Sequence, residues 1–301
     1  MTHNGIFIRL SVPVALQLLL IGCTADETLP VGDALEGVPI RLTATLQTTR
    51  VADELQDTRL STAVTMGVFG LSDGNTIANG DNAAYAVDAD GNLNAMSGEM
   101  TWQDNRELGI IAYSPRQDSW DYRSAEHVFA VAADQSNATG YLDSDLLYAS
   151  VTTEPQATVS LGFTHLLSRI ALRLSTDNSA SLTDATVSIA GTLPTTKVSL
   201  ADGGIDAASG TPTDIVVGSG ISLGAGGSTT LYGIVVPQTL GAGITLVEIS
   251  DQSRVLRYSL SDAMVLESGQ SYTLDVNISS STIGSTLGNT ATIPALAGNR
   301  N

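Results

Sequence analysis

Cys23 is the residue whose chemistry is most tightly dictated by its neighbours. It is the only cysteine of the 301-residue chain, and it follows Leu20-Ile21-Gly22 at the end of an apolar run that begins at Leu10, with Arg9 just before. A basic start, a short apolar core and a small residue before the cut form the pattern of an export signal. Leu-Ile-Gly-Cys has the form of a bacterial lipobox, in which the thiol is acylated and the cysteine becomes the first residue of the mature protein. A plain secretory signal with an incidental cysteine is the other reading. A spanning helix fits poorly: Leu10 to Gly22 is 13 residues, broken by Ser11, Pro13 and Gln17, against the roughly 20 apolar residues that a span needs. Lipid on Cys23 would hold the protein on a membrane without crossing it. It would also leave no thiol for a disulfide or a thiolate metal site.

Other residues that could do chemistry are few. His127 lies in Ala125-Glu126-His127-Val128 and His165 in Phe163-Thr164-His165-Leu166-Leu167. No His-Glu-x-x-His helix and no phosphate loop accompanies them, so both read as structural, although a triad built by spatial proximity stays open to composition. Asp143-Ser144-Asp145 suits an exposed turn better than a glycosidase acid and nucleophile. Asp88-Ala89-Asp90-Gly91-Asn92 imitates the start of a calcium loop. Glu99 stands twelfth from Asp88 without matching spacing between, and Asp-Gly between strand residues is a hairpin turn. Catalytic residues, metal and cofactors are therefore not expected, and the chain reads as a non-enzyme. Trp102, Trp120 and Tyr122 have two readings, core filling and a glycan-stacking surface, of which core filling is preferred.

The formal net charge is −18, or near −19 once Arg9 leaves with the signal. Such a chain repels nucleic acid and anionic membrane surfaces. Lys197 is the only lysine, so a trypsin-like protease meets almost only arginines. Hydrophobic residues reach 43% and charged residues only 15%, with 29 glycines. That balance predicts an all-β exported protein.

The elements that must position these residues follow. Residues 1–22 are the signal and 23–37 a tether. Ile40, Leu42, Ala44 and Leu46 then alternate with Arg41, Thr43, Thr45 and Gln47, which predicts a strand over Pro39–Thr49 with Arg50 directly after it. Val51–Arg59 reads as a polar loop. Strand character returns at Thr62–Leu71, Glu107–Tyr113, Val128–Ala132 and Leu146–Val151, and Thr152–Gln156 reads as a linker. Ile170, Leu172 and Leu174 alternate with Arg169, Ala171 and Arg173. A Gly/Ser/Asp-rich separator over 202–229 precedes strands at Leu231–Val236, Thr245–Ile249, Val255–Leu260 and Tyr272–Ile278. No helix is expected. Many short strands between turns read as β-sandwiches, one over 38–158 and one over 159–301. Ser279–Asn301 reads either as a disordered tail or as an extended segment waiting for a partner sheet.

Several pieces, taken in order, resemble the fimbrillin family, the fimbrial subunit lipoproteins of Bacteroidales. They include Met66-Gly67-Val68-Phe69-Gly70, Met100-Thr101-Trp102 and Ile111-Ala112-Tyr113-Ser114-Pro115. Further along come Asp143 to Ala149, Val159 to Ile170, Val235-Val236-Pro237-Gln238 and Leu266 to Leu274. The resemblance spans nearly all of the mature chain. It implies two tandem transthyretin-like β-sandwich domains, export as a lipoprotein to the outer membrane and cell surface, and removal of the lipidated segment with its first strand by an arginine-specific protease. It also implies that the opened groove takes a strand from the C-terminal region of another subunit, building a fimbria used in adhesion.

On this sequence the processing sites are Arg50 or Arg59, and the donor is Ser281–Asn301 with Ile283, Leu287 and Ile293 as anchors. Pro294 and the glycines of the tail depart from a strong donor strand. The alternative is a monomeric surface lipoprotein that binds a host protein or glycan through exposed aromatics.

Overall fold

The computed structural model describes residues 35–47, 56, 58–104, 106–280 and 283–287. Its regular secondary structure is nearly all strand. The first sheet is built from β1 (Arg41–Leu46), β2 (Thr65–Ser72), β3 (Asn75–Thr76), β4 (Ala83–Val87), β5 (Asn92–Ala95) and β6 (Leu108–Ser114). A short ribbon strand, β7 (His127–Ala130), and a helix, α1 (Ala138–Ser144), come next; β8 (Leu147–Thr153) and β9 (Thr158–His165) then complete the sheet. Its order is β3-β2-β4-β5-β1-β9-β8-β6, and β2 also pairs with β6, so the sheet closes on itself with β3 outside the ring. Met66, Val68, Tyr85, Leu161 and Phe163 share the inner face, while Phe69 and Tyr113 are buried on the other face beside Tyr122 and Trp120. Because β9 pairs with β1 and β8, this sheet runs through His165; the division expected at 158/159 falls at the start of β9.

The rest of the chain forms β10 (Ser168–Thr176), β11 (Leu182–Thr192), β12 (Thr195–Val198), β13 (Thr213–Leu223), β14 (Ser228–Val235) and β15 (Thr239–Leu240). They are followed by β16 (Thr245–Ser250), β17 (Val255–Ser259), β18 (Met264–Val265), β19 (Ser271–Ile278) and β20 (Ile283–Leu287). Two four-stranded sheets result, β14-β10-β19-β20 and β13-β11-β16-β17, with a small β15–β18 pair. The predicted alternation holds in β10 and β19: Ile170, Leu172, Leu174, Leu274, Val276 and Ile278 are all buried. Arg169 departs from it. It is buried too, stacked 5.1 Å over the Tyr232 ring.

The two groups of sheets are tied together. β7 pairs with β12, and Tyr148 Oη donates to Leu200 O at 3.0 Å. Gln135 Oε1 accepts from Ile234 N at 2.7 Å and its Nε2 donates to Ile234 O at 2.9 Å, so one side chain imitates a strand partner.

Two elements differ from the sequence expectation. The separator over 202–229 contains β13, whose alternation is hidden by Gly218 and Gly220 and by repeated register shifts against β11. The helix α1 was not expected. With Gly140 and Thr139 inside seven residues it has little intrinsic propensity. Its Asn137 cap accepts from Gly140 N at 3.0 Å, and Tyr141 and Leu142 are buried beneath it.

Candidate functional site

The site begins with β1. Alternation sends Ile40 and Leu42 into the core at 5% and 2% exposure, with Ala44 and Leu46 half-buried, while Arg41 and Thr45 face out. On one side β1 runs parallel to β9 through six paired positions, Arg41 to Leu46. On the other it meets β5 antiparallel at only two, Leu42 with Leu93 and Thr43 with Asn92. Backbone bonds extend the seam at both ends: Ile40 N donates to Met100 O and Ala44 N to Gly91 O, each at 2.8 Å.

Two cavities flank this seam. One of about 510 Å³ lies beside residues 38–43, Tyr85 and Asn92–Ala95. The other, about 580 Å³, lies beside Ala44–Leu46, Arg59 and the Asp88–Gly91 turn. β1 is thus well seated on β9 and thinly stitched to β5.

The residues named for processing and donation fall as follows. Arg59 is exposed in a bend before β2. Arg106, Arg116, Arg123, Arg173, Arg254 and Arg257 each pair with a carboxylate, whereas Arg59 and Arg41 have no ion pair among the described residues. Ile283 is half-buried in β20, and Leu287 ends that strand. β20 lies antiparallel on β19 of its own chain, from Ile278 with Ile283 to Leu274 with Leu287. Cys23, Arg50 and Ile293 lie outside the described residues.

A buried polar cluster beside this region was missed in the sequence. Asp143 is exposed as expected, but Asp145 is not: its Oδ1 accepts from His165 Nδ1 at 2.9 Å, with both side chains at 0% exposure. Its Oδ2 accepts from Gln56 Nε2 at 3.2 Å. Gln56 stands three residues before Arg59, so the cluster ties that point of the chain to the body of the protein. The exposed-turn reading fails for Asp145 because the last turn of α1 and the end of β9 enclose it. Among the described residues His165 Nε2 has no hydrogen-bond partner and no nucleophile hydrogen-bonded to it. Gly220-Ile221-Ser222-Leu223-Gly224 has the spelling of a nucleophile elbow. Ser222, however, sits inside β13 and its hydroxyl accepts from Asp184 N at 3.0 Å, which is not a strand-to-helix turn.

His127 is structural: Nε2 contacts Asp121 O at 2.8 Å and its ring stacks 4.9 Å from Trp120. Trp102 and Trp120 are buried at 2% and 6% exposure, which removes them as a stacking surface. Tyr122 is half-buried, with its hydroxyl on Gly74 O at 2.7 Å. Asp88 closes its own turn, accepting from Asp90 N and Asn92 N at 2.9 Å. Its carboxyl is held below the ordinary range, chiefly by the Asn92 side chain. Gly91 there has φ 85°, which glycine adopts freely. N–H donors converge on this carboxylate, which is a hairpin turn and not a calcium cradle.

The Fimbrillin-like family profile matches residues 49–293. The chain belongs to the fimbrillin-like family. That makes it a protein of fimbrial type, a class of the cell surface. Among solved structures it is similar to a candidate cell adhesion protein from Bacteroides uniformis, with TM-score 0.62 and 21% identity over 83% of this chain and 97% of that one. A second, from Bacteroides ovatus, has TM-score 0.63 and 18% identity over 83% and 96%. A third, from Bacteroides fragilis, has TM-score 0.53 and 11% identity over 86% and 99%. At such identities the likeness establishes the shared all-β fold. No curated protein matches the chain by sequence.

Proposed function

We propose that this fimbrillin-like protein is a structural subunit or adhesin of a cell-surface fimbria, exported as a lipoprotein acylated at Cys23 and assembled by protease-triggered strand exchange. The observation that carries the exchange step is the uneven seating of β1, a six-residue parallel ladder on β9 against two paired positions on β5. Cleavage by an arginine-specific protease after Arg50 or Arg59 severs β1 from the body. Arg59 suits such an enzyme because it is exposed, lies outside the sheets and has no ion pair among the described residues. Once β1 leaves, apolar side chains and a row of unpaired backbone groups are exposed together, and one donated strand repairs both. That strand must run parallel to β9 and antiparallel to β5, as β1 does. The donor is the C-terminal segment 281–301 of another subunit, and part of it must first leave β19 of its own chain.

Limited trypsin treatment of the purified precursor, followed by size analysis, tests the reading. Oligomer ladders are expected, and they should be absent in the double variant Arg50→Ala, Arg59→Ala and in a chain ending at Ser280. Clean cleavage that yields only stable monomers would leave a non-polymerising adhesin.

A further inference from the structure

The C-terminal pair of sheets has two open sides, and a hydrogen-bonding side chain spans each. Between β13 and β14 it is Gln135, whose own backbone N–H also donates to Val216 O at 2.8 Å. Between β17 and β20 it is Arg254. Its Nη2 donates to Ser181 O at 2.9 Å, at the entry to β11. Its Nη1 donates to Ser280 O at 2.5 Å and, at longer range, to Ser279 O at 3.5 Å, where the chain has left β19 and has not yet entered β20.

The guanidinium is aimed by its own turn. Nε meets Asp251 Oδ2 at 3.3 Å, while Asp251 Oδ1 accepts from Ser253 N, Arg254 N and the Ser253 hydroxyl. Arginine carries five donors in a planar fork and keeps its charge at any ordinary pH. One cation therefore binds both the start of β11 and the exit from β19.

β20 is the edge strand Ile-Gly-Ser-Thr-Leu, whose hydrogen-bonded neighbour among the described residues is β19, with Ile283 half-buried against the core. A glycine inside a short strand weakens it. We propose that Arg254 is the positioning residue that keeps the C-terminal strand docked on its own chain until another subunit takes it. The contact stands by itself; its consequence for assembly rests on the strand-exchange reading above. In that setting Arg254 sets how readily the donor is released, and so restrains assembly before a cleaved acceptor is present.

Hydrogen exchange on the full-length precursor tests the clasp, with Arg254→Ala and Arg254→Lys beside the parent. Amides of Ile283–Leu287 should exchange at least about tenfold faster in the alanine variant, the scale expected when a charge-assisted contact is lost. Those of β10 and β16 should be unchanged. Lysine keeps the charge without the fork and should give an intermediate rate. Unchanged exchange in β20 would overturn the proposal, as would faster exchange spread evenly over β10–β19, which marks a merely structural role. After trypsin treatment the alanine variant should form oligomers faster than the parent. If β20 loosens but neither protein oligomerises, the clasp stands and the strand-exchange reading falls.

Discussion

Replacing Leu42 by alanine should turn a slowly released strand into a rapidly released one. Leu42 is 2% exposed in the middle of β1, and Ile40 is 5% exposed just before it. Burying each is worth roughly 1.5–3 kcal/mol, so the pair contributes roughly 3–6 kcal/mol to holding β1. While the chain is intact, β1 is tethered and stays at high effective concentration beside its groove. Once the chain is cut, the peptide regains translational and rotational freedom worth roughly 4–15 kcal/mol, and the balance becomes close.

A buried Leu→Ala change costs roughly 2–5 kcal/mol, which is roughly thirtyfold to a few thousandfold in an equilibrium constant. Most of such a difference is expressed in the dissociation rate. The assay cuts the parent and Leu42→Ala precursors with trypsin, isolates the folded body by size, and follows the retained N-terminal peptide by mass spectrometry over time. The variant should lose its peptide at least about thirtyfold faster and oligomerise sooner. Equal retention in both proteins would refute the reasoning, because β1 would then be held by something other than its buried side chains.

The remaining predictions concern burial and anchoring. Asp145→Ala leaves the His165 ring and the Gln56 amide without their buried acceptor, and each buried donor left unsatisfied should cost about 1–3 kcal/mol by chemical denaturation. Trp120, stacked 4.7 Å from Tyr113 and 4.9 Å from His127, should cost about 3–5 kcal/mol of stability on change to alanine. A glycan array should then show no specific loss in the folded fraction. Desolvation raises the hydroxyls of Tyr85, Tyr113 and Tyr148 above their ordinary value of 10. The folded state therefore holds these protons more tightly than the unfolded one, and the tyrosines' contribution to stability should be level below about pH 10 and fall above it, in step with tyrosinate absorbance. Cys23→Ala should abolish incorporation of labelled fatty acid and release the protein from the envelope; continued labelling would refute the lipobox.

Much of the fold was legible because a strand's period is a property of adjacent residues. The run Ile40, Leu42, Ala44, Leu46 announces an inward face with no partner in view, and the same holds for β10 and β19. Where glycine interrupts the period, as at Gly218 and Gly220 in β13, the strand became invisible. Where tertiary contacts hold a weak helix, as in α1, local propensity pointed away from it.

Partner and burial were decided only when distant segments met. The place of β1 beside β9 depends on a strand 116 residues away, Thr45 reaching Leu161, and nothing in either strand's alternation names the other. Asp145 looks solvated in its own neighbourhood and is enclosed because His165 and Gln56 arrive from 20 and 89 residues away. Arg254 looks like one more surface cation beside Asp251. Its hold on Ser181 and Ser280, 73 and 26 residues distant, exists only because two sheets bring those carbonyls to one edge. Periodicity sorts residues into inside and outside along a single element, while the choice of which buried faces meet is made by packing across the whole chain.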